Sequence, residues 1–172
     1  MKITIMILLL LCSIPFLGSA IIYDQEIAPY TYTIYSSNQE YCFKMESDSS
    51  GVAYQIKNTR CKYEIWKTHG WYSFQTFITN DGSYLIRLGN WPRGDSPSVK
   101  DLAIAFYEKG KLIKSYSTRD LIKNDSLVVV SISHYRFMKD EQNLTGYYFY
   151  LTTIDEILYK FDVRTGEILS GI

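Results

Sequence analysis

The stretch FQTFITNDGSYLIRL, residues 74–88, decides the fold class of this chain. It is typical of a β-hairpin, because two segments rich in aromatic and β-branched residues flank NDGS at residues 80–83. These four residue types tolerate the left-handed backbone of a tight reversal. Alternation in the second strand predicts one face with Tyr84, Ile86 and Leu88 and an opposite face with Leu85 and Arg87.

Similar segments extend in both directions from this hairpin. Strand-like runs, separated by turn-forming residues, occupy residues 30–35, 41–45, 52–56, 63–66, 102–116, 127–133, 147–153 and 158–169. Ser117 and Asp120 have the spacing of a capping box, which predicts one short helix near residues 118–123. The sequence therefore predicts an all-β protein of antiparallel meander sheets with a single short helix.

Two local patterns recur along the chain. NDGSYLI at residues 80–86 loosely matches SNQEYCF at 37–43, and YEKGKLI at 107–113 matches FDVRTGEIL at 161–169. Both resemble blade strands of β-propeller repeats, of the DG-x-Y-L and D-x-x-T-G-x-I-L types. The whole chain also resembles small uncharacterised exported bacterial proteins that share segments such as DGSYLIRLGNWP and AIAFYEKGKLIKSYS. This resemblance implies propeller-like repeats and brings no activity with it.

The length of the chain argues against a closed ring. Propellers commonly have four to eight four-stranded blades of roughly 40 residues each. The propeller-like patterns extend over most of residues 33–170, which hold about three such units. We therefore expect an open propeller-like arc or a small sandwich.

The amino terminus has the pattern of a secretory signal peptide. Lys2 precedes an apolar run over residues 3–17, and Gly18, Ser19 and Ala20 follow. This pattern predicts a signal peptide over residues 1–20 and a single β-rich domain over residues 21–172, exported to the periplasm or secreted. The alternative is a membrane anchor, but a spanning helix needs roughly 20 apolar residues. We expect no stable membrane span after cleavage.

The number of cysteines after residue 20 agrees with export to an oxidising compartment. Removal of the first 20 residues leaves Cys42 and Cys61, and an even pair in a small exported domain indicates a disulfide. The alternative is two buried thiols that act as small hydrophobic groups. Neither cysteine lies in a CxxC motif, so redox catalysis and thiolate zinc sites have no support.

Charge excludes one class of partner. The chain has 18 basic and 18 acidic residues, so it has no net positive charge that would attract nucleic acid or an anionic membrane. Its 16 tyrosines, 8 phenylalanines and 3 tryptophans suit packing in sheets. We predict no metal and no cofactor.

Candidate catalytic groups are few. The only histidines are His69 and His134, and a hydrolase would pair one of them with a nucleophile such as Ser133 and an acid such as Asp155. Neighbouring strand positions point to opposite faces, so we expect Ser133 and His134 not to meet. No catalytic residue is predicted, and a hydrolase that uses His134 or His69 is an alternative hypothesis.

A binding surface is the preferred hypothesis. Trp71, Tyr72, Trp91 and Arg93 combine aromatic faces with polar donors, which suit a protein, peptide or glycan partner. The hypothesis requires Trp91 and Arg93 to be exposed. The alternative is that the tryptophans fill the core and that the loop at residues 89–95 merely connects strands.

The sequence thus favours a non-catalytic exported binding or interaction module. A structural component of a cell-envelope assembly is the third hypothesis, after the hydrolase. An unpaired sheet edge or a contiguous apolar surface would favour it.

Overall fold

The computed structural model describes residues 27–171. The predicted signal peptide and the expected start of the mature chain near Ile21 lie outside these residues. Among the residues that the structure describes, no helix is both long enough and apolar enough to cross a membrane.

The described residues form three four-stranded antiparallel sheets and one two-stranded sheet, and within each four-stranded sheet the strand order follows the chain. The first sheet contains β1 (Tyr32–Tyr35), β2 (Tyr41–Met45), β3 (Ser50–Lys57) and β4 (Arg60–His69). The middle sheet contains β5 (Thr76–Ile78), β6 (Tyr84–Leu88), β7 (Leu102–Glu108) and β8 (Lys111–Ser117). The third sheet contains β11 (Met138–Thr145), β12 (Tyr148–Thr153), β13 (Leu158–Asp162) and β14 (Glu167–Gly171).

A short connection joins the middle and third sheets. It contains the helix α1 (Thr118–Leu121), a 3₁₀ turn (Asp125–Leu127) and a minor hairpin of two two-residue strands, β9 (Val129–Val130) and β10 (Tyr135–Arg136). The predicted all-β class, the meander sheets and the short helix are confirmed. The predicted capping box is also present, since the Ser117 N–H donates to Asp120 Oδ2 at 2.8 Å and the Asp120 N–H donates to Ser117 Oγ at 3.2 Å.

The middle sheet is buried on both faces. Leu85 packs in one core with Phe43 and Trp66 of the first sheet. Ile86, its neighbour in β6, packs in a second core with Phe149 of the third sheet. The alternation predicted for β6 is confirmed, because successive side chains enter different cores.

The outward faces of the first and third sheets are more polar. Thr33, Lys44, Val52 and Lys67 are aligned across the outward face of the first sheet. Asn143, Tyr150, Lys160 and Ser170 are aligned across the outward face of the third sheet. Such faces are solvated rather than packed against a further sheet. The described residues therefore form an open arc, not a closed ring.

The first strand of each sheet lines a common groove. Ile34 of β1, Phe77 of β5 and Leu144 of β11 all border it. The Gln75 side-chain amide, next to β5, donates to the Gln142 side-chain oxygen of β11 at 2.7 Å. The inner strands therefore converge as they do in a propeller, and this arrangement confirms the predicted propeller-like arc.

A disulfide joins β2 to β4 across β3. It links Cys42 and Cys61, whose Cα atoms are 6.2 Å apart. The predicted disulfide is thus confirmed.

Candidate binding cleft

The loop at residues 89–95, which follows β6, is held at its start by polar contacts. The Gly89 N–H donates to the Ala103 carbonyl at 2.8 Å. The Asn90 side chain donates to the Tyr72 carbonyl at 3.0 Å and accepts from the Phe74 N–H at 3.1 Å. These contacts fix the direction in which the chain presents Trp91.

The rest of this loop pairs with the minor hairpin. Arg93 and His134 form an isolated antiparallel bridge. On either side of it, the Tyr135 N–H donates to the Pro92 carbonyl at 3.1 Å and the Gly94 N–H donates to the Ser133 carbonyl at 2.9 Å. The loop is therefore part of a small ladder with the minor hairpin.

A cleft of 380 Å³ lies between this loop and the minor hairpin. Its walls are mainly apolar and include Trp91, Val129, Val130, Phe137 and Met138. Trp91 is 42% exposed, and its ring meets the buried His134 ring edge-on, with centroids 5.6 Å apart. Arg93 is also exposed, so the condition set for the loop hypothesis is met. The cleft offers a partner an apolar pocket with one accessible indole face.

The Tyr135 hydroxyl makes two hydrogen bonds beneath the cleft. Its hydroxyl donates to Asp101 Oδ2 at 2.8 Å and lies 2.6 Å from Thr118 Oγ1. Burial raises the pKa of the Tyr135 phenol to about 12, the Thr118 contact opposes this rise, and the Asp101 carboxylate adds to it. The hydroxyl is therefore neutral at ordinary pH and connects α1 to the cleft.

Ser133 and His134 do meet, contrary to expectation. Ser133 Oγ lies 2.8 Å from His134 Nδ1. The reason is that residues 131–134 form a tight turn, closed by the Ser131 N–H donating to the His134 carbonyl at 2.8 Å. Strand alternation does not apply inside a turn.

The acid predicted for a hydrolase has a different role. Asp155 Oδ2 accepts from the Lys123 N–H at 2.8 Å and from the Asn124 N–H at 3.0 Å. It thereby holds the segment before the 3₁₀ turn. The other candidate, His69, is exposed at the end of β4. The structure therefore brings Ser133 and His134 into contact, whereas Asp155 bonds to backbone N–H groups before the 3₁₀ turn.

Trp71 and Tyr72 lie elsewhere, between the first and middle sheets. The Trp71 ring centroid is 5.3 Å from that of Tyr107, and the Arg87 guanidinium lies 4.6 Å from the Trp71 ring centroid. The buried Tyr72 hydroxyl donates to the Tyr30 carbonyl at 2.9 Å. The four predicted binding residues thus form two separate pairs, and only Trp91 and Arg93 belong to the loop beside the cleft.

Sequence reasoning missed the opposite wall of the cleft. Val129 and Val130 belong to a β-branched run that predicts an ordinary strand, and Met138 begins β11. The available signal was the lack of any charged residue from Ser126 to Ser133. Within residues 27–171, no group of three or more His, Cys, Asp or Glu side chains is arranged to hold a metal ion.

The fold and the cleft define an all-β protein built as an open, propeller-like arc. No family model and no curated protein matches its sequence. Among solved structures, U3-55K and the WD40 repeats of RRP9 are similar to 86% of this chain, each at 10% identity and a TM-score of 0.46. BamB from Moraxella catarrhalis is similar to 80% of it, at 13% identity and a TM-score of 0.37.

The chain spans less than half the length of these structures, since the matches cover 40% of the first two and 47% of BamB. Similarities at this level assign no function.

Proposed function

We propose that this protein is a non-catalytic binding module that receives an apolar side chain of a protein or peptide partner in the Trp91 cleft. The observation that carries the proposal is the apolar cleft itself, with the half-exposed Trp91 ring on one wall. Apolar clefts with a few fixed polar groups are typical ligand sites, and tryptophan is enriched where interfaces gain most of their energy.

A peptide fits this cleft better than a glycan does. Apolar side chains, among them Val129, Val130, Phe137 and Met138, make up most of the lining, and Ser131, His134 and Arg136 are polar side chains within it. The polar side chain at the start of the loop, Asn90, already bonds to the Tyr72 and Phe74 backbone. An apolar side chain loses no hydrogen bonds when it enters such a site.

The proposal includes export of the protein. The signal-peptide pattern of residues 1–20 supports it, and so does the Cys42–Cys61 disulfide, because disulfides persist in oxidising compartments. The proposed partner is therefore an envelope or extracellular polypeptide.

The test is a binding screen of the full chain, processed by the expressing cell, against panels of peptides and glycans. We expect peptides with apolar residues to bind, and Trp91→Ala to weaken binding by at least about tenfold, because it removes the exposed wall of the cleft. The matched control is Tyr63→Ala, since Tyr63 is 44% exposed but lies on β4. This control should bind as the wild type does.

Two results would reject parts of the proposal. Peptide binding that Trp91→Ala leaves unchanged would place the site elsewhere. Hits confined to glycans would reject the peptide class. Circular dichroism of each variant establishes that the fold is intact.

A further inference from the structure

The turn between β3 and β4 extends beyond β2. The β2–β3 ladder runs as far as Gln55, whereas the β3–β4 ladder continues to the pair formed by Lys57 and Arg60. The disulfide ties Cys61 of β4 to β2. Residues 57–62, which we call the hairpin tip, therefore protrude from the sheet and are held in place at their base.

Three cations are concentrated on the hairpin tip. Lys57, Arg60 and Lys62 are all exposed, and the tip contains no acidic residue. The ammonium nitrogens of Lys57 and Lys62 each lie 5.6 Å from the centroid of the Tyr63 ring. Lys57 is directly opposite Arg60 in the ladder. Like charges directly opposite each other destabilise a strand pair, so the fold gains nothing from this arrangement.

The neighbouring carboxylates have other partners. Among residues 27–171, no ion pair joins an acidic side chain to any of the three tip cations. Glu64, the next acidic residue along β4, lies 3.1 Å from the Lys67 ammonium group. Glu40, whose backbone carbonyl bonds to β3, accepts from the Asn38 side-chain amide at 3.0 Å. The described residues therefore leave the positive charge of the tip unneutralised.

The described chain enters this sheet at the opposite end. Tyr32 of β1 is opposite Met45, and Met45 is opposite Gly51. An extended strand rises about 3.3 Å per residue, so Gly51 and Lys57 are about 20 Å apart along β3. The tip is therefore remote from the point where the described chain begins.

We propose that the hairpin tip binds the phosphate groups of anionic phospholipids at a membrane surface. Arg60 has a planar fork of donors that fits phosphate oxygens, and the two lysines add point charges. A recess of about 550 Å³, lined only by residues 57–62, gives a headgroup room beside these side chains. Each lysine or arginine close to an anionic lipid surface strengthens the attraction.

The exposure and shape of the tip favour a lipid surface over a free anion or a protein. Exposed cations bind a single small anion weakly, because solvent and salt screen each contact. A membrane offers many headgroups at once, and a protruding turn can reach them. A stable protein interface covers about 800 Å² on each partner, which is more than one turn presents.

The attraction comes from the tip alone. The full chain has a net charge of zero, and salt screens exposed charges beyond about 10 Å. Binding should therefore weaken as the salt concentration rises. This inference goes beyond the proposed peptide binding and does not depend on it.

Co-sedimentation with vesicles tests the inference on the full chain, processed by the expressing cell. We expect binding to vesicles of equal parts phosphatidylcholine and phosphatidylglycerol, and none to phosphatidylcholine alone. The tip variant combines three substitutions: Lys57→Gln, Arg60→Gln and Lys62→Gln. It should bind the anionic vesicles at least about tenfold more weakly than the wild type does.

A control variant removes the same amount of charge from exposed positions outside the tip. It combines Lys100→Gln, Lys109→Gln and Lys111→Gln. This control should bind the anionic vesicles as the wild type does, because the attraction depends on the local cluster and not on net charge. Circular dichroism and a thiol assay establish that each variant keeps its fold and its disulfide.

Three results would overturn the inference. They are an absence of binding to anionic vesicles, binding that the tip variant leaves unchanged, and an equal loss of binding in the control variant. Inorganic phosphate and poly-glutamate provide two further arms, and tip-dependent binding to either one as tight as that to vesicles would reject the lipid surface. Trp91→Ala should leave vesicle binding unchanged, so failure of this inference and failure of the peptide proposal are distinguishable.

Discussion

At the scale of single residues, the hydroxyls of one buried and one partly buried tyrosine connect parts of the chain that are distant in sequence. Tyr135 connects to Asp101 and Thr118, and Tyr32 donates to the Ser73 carbonyl at 2.8 Å. Burial raises the pKa of each phenol to about 12. The charged form of each is therefore disfavoured in the folded state.

These two hydroxyls predict a loss of stability at alkaline pH. Their folded pKa values are about 12, against an ordinary value of 10.0. Because the folded pKa is raised, the stabilisation is complete below pH 10 and is lost as the pH rises towards 12. We expect Tyr135→Phe or Tyr32→Phe to reduce the slope of unfolding free energy against pH in this window by up to about 1.4 kcal/mol per pH unit.

Urea denaturation at a series of pH values measures this slope. Curves for wild type and variant that stay parallel from pH 10 to 12 would contradict the prediction. The double variant should show a larger reduction of the slope than either single variant does.

The tryptophans show what sequence cannot determine about one residue. Trp71 and Trp91 both lie in irregular segments between strands. Trp71 is covered by Phe43 and Tyr107, which come from the first and middle sheets. Trp91 contacts His134 of the minor hairpin edge-on and stays half-exposed. Burial of an aromatic ring thus depends on sheets that pack over it, and those contacts are not local in sequence.

At the scale of elements, the turn between β5 and β6 follows from local chemistry. Asp81 Oδ1 accepts from the Ser83 N–H at 3.1 Å. Gly82 has a φ of +68°, and a Cβ atom there would lie 2.3 Å from the Tyr41 ring. Glycine is therefore required both for the backbone conformation and for the close approach of Tyr41.

We expect Gly82→Ala to lower the free energy of unfolding by about 1–3 kcal/mol, from backbone strain together with displacement of Tyr41. Gly146→Ala is the matched control, because Gly146 has a φ of +59° with no atom within 4 Å of its Cβ position. Gly146→Ala introduces only backbone strain, so Gly82→Ala should lower the free energy of unfolding by more than Gly146→Ala does. Equal urea midpoints for the two variants would show that the Tyr41 contact does not matter.

The hairpin turn and the capping box could be predicted because both depend on residues close in sequence. The minor hairpin could not be predicted in this way. Residues 127–133 favour one continuous strand, yet the structure turns after Val130 and pairs residues 133–135 with the loop at 92–94. That pairing depends on where β6 ends in three dimensions.

At the scale of the whole molecule, the middle sheet belongs to both cores. Phe106 of β7 packs against Phe161 of the third sheet, with ring centroids 5.2 Å apart. Its neighbour Ala105 lies in the core shared with the first sheet. Unfolding of the middle sheet therefore exposes both cores, so the three sheets should unfold together.

We expect Phe106→Ala to destabilise the protein by about 3–5 kcal/mol, since it leaves a cavity in a fully buried site. The control Leu112→Ala, at an exposed position on β8 of the same sheet, should change stability by less than about 0.5 kcal/mol. Tryptophan fluorescence and far-ultraviolet circular dichroism should report one coincident urea transition in each protein. Separate transitions would show that the two cores unfold independently.

The sequence by itself determined the all-β class, the meander order of strands, the short capped helix and the cysteine pair. Each of these depends on residue periodicity, turn chemistry or a small number of possible partners. Only the tertiary structure decided that Leu85 and Ile86 enter different cores, and that Trp71 packs between two sheets while Trp91 lines a cleft. These features arise where distant segments meet, and a local pattern does not specify which segments those are.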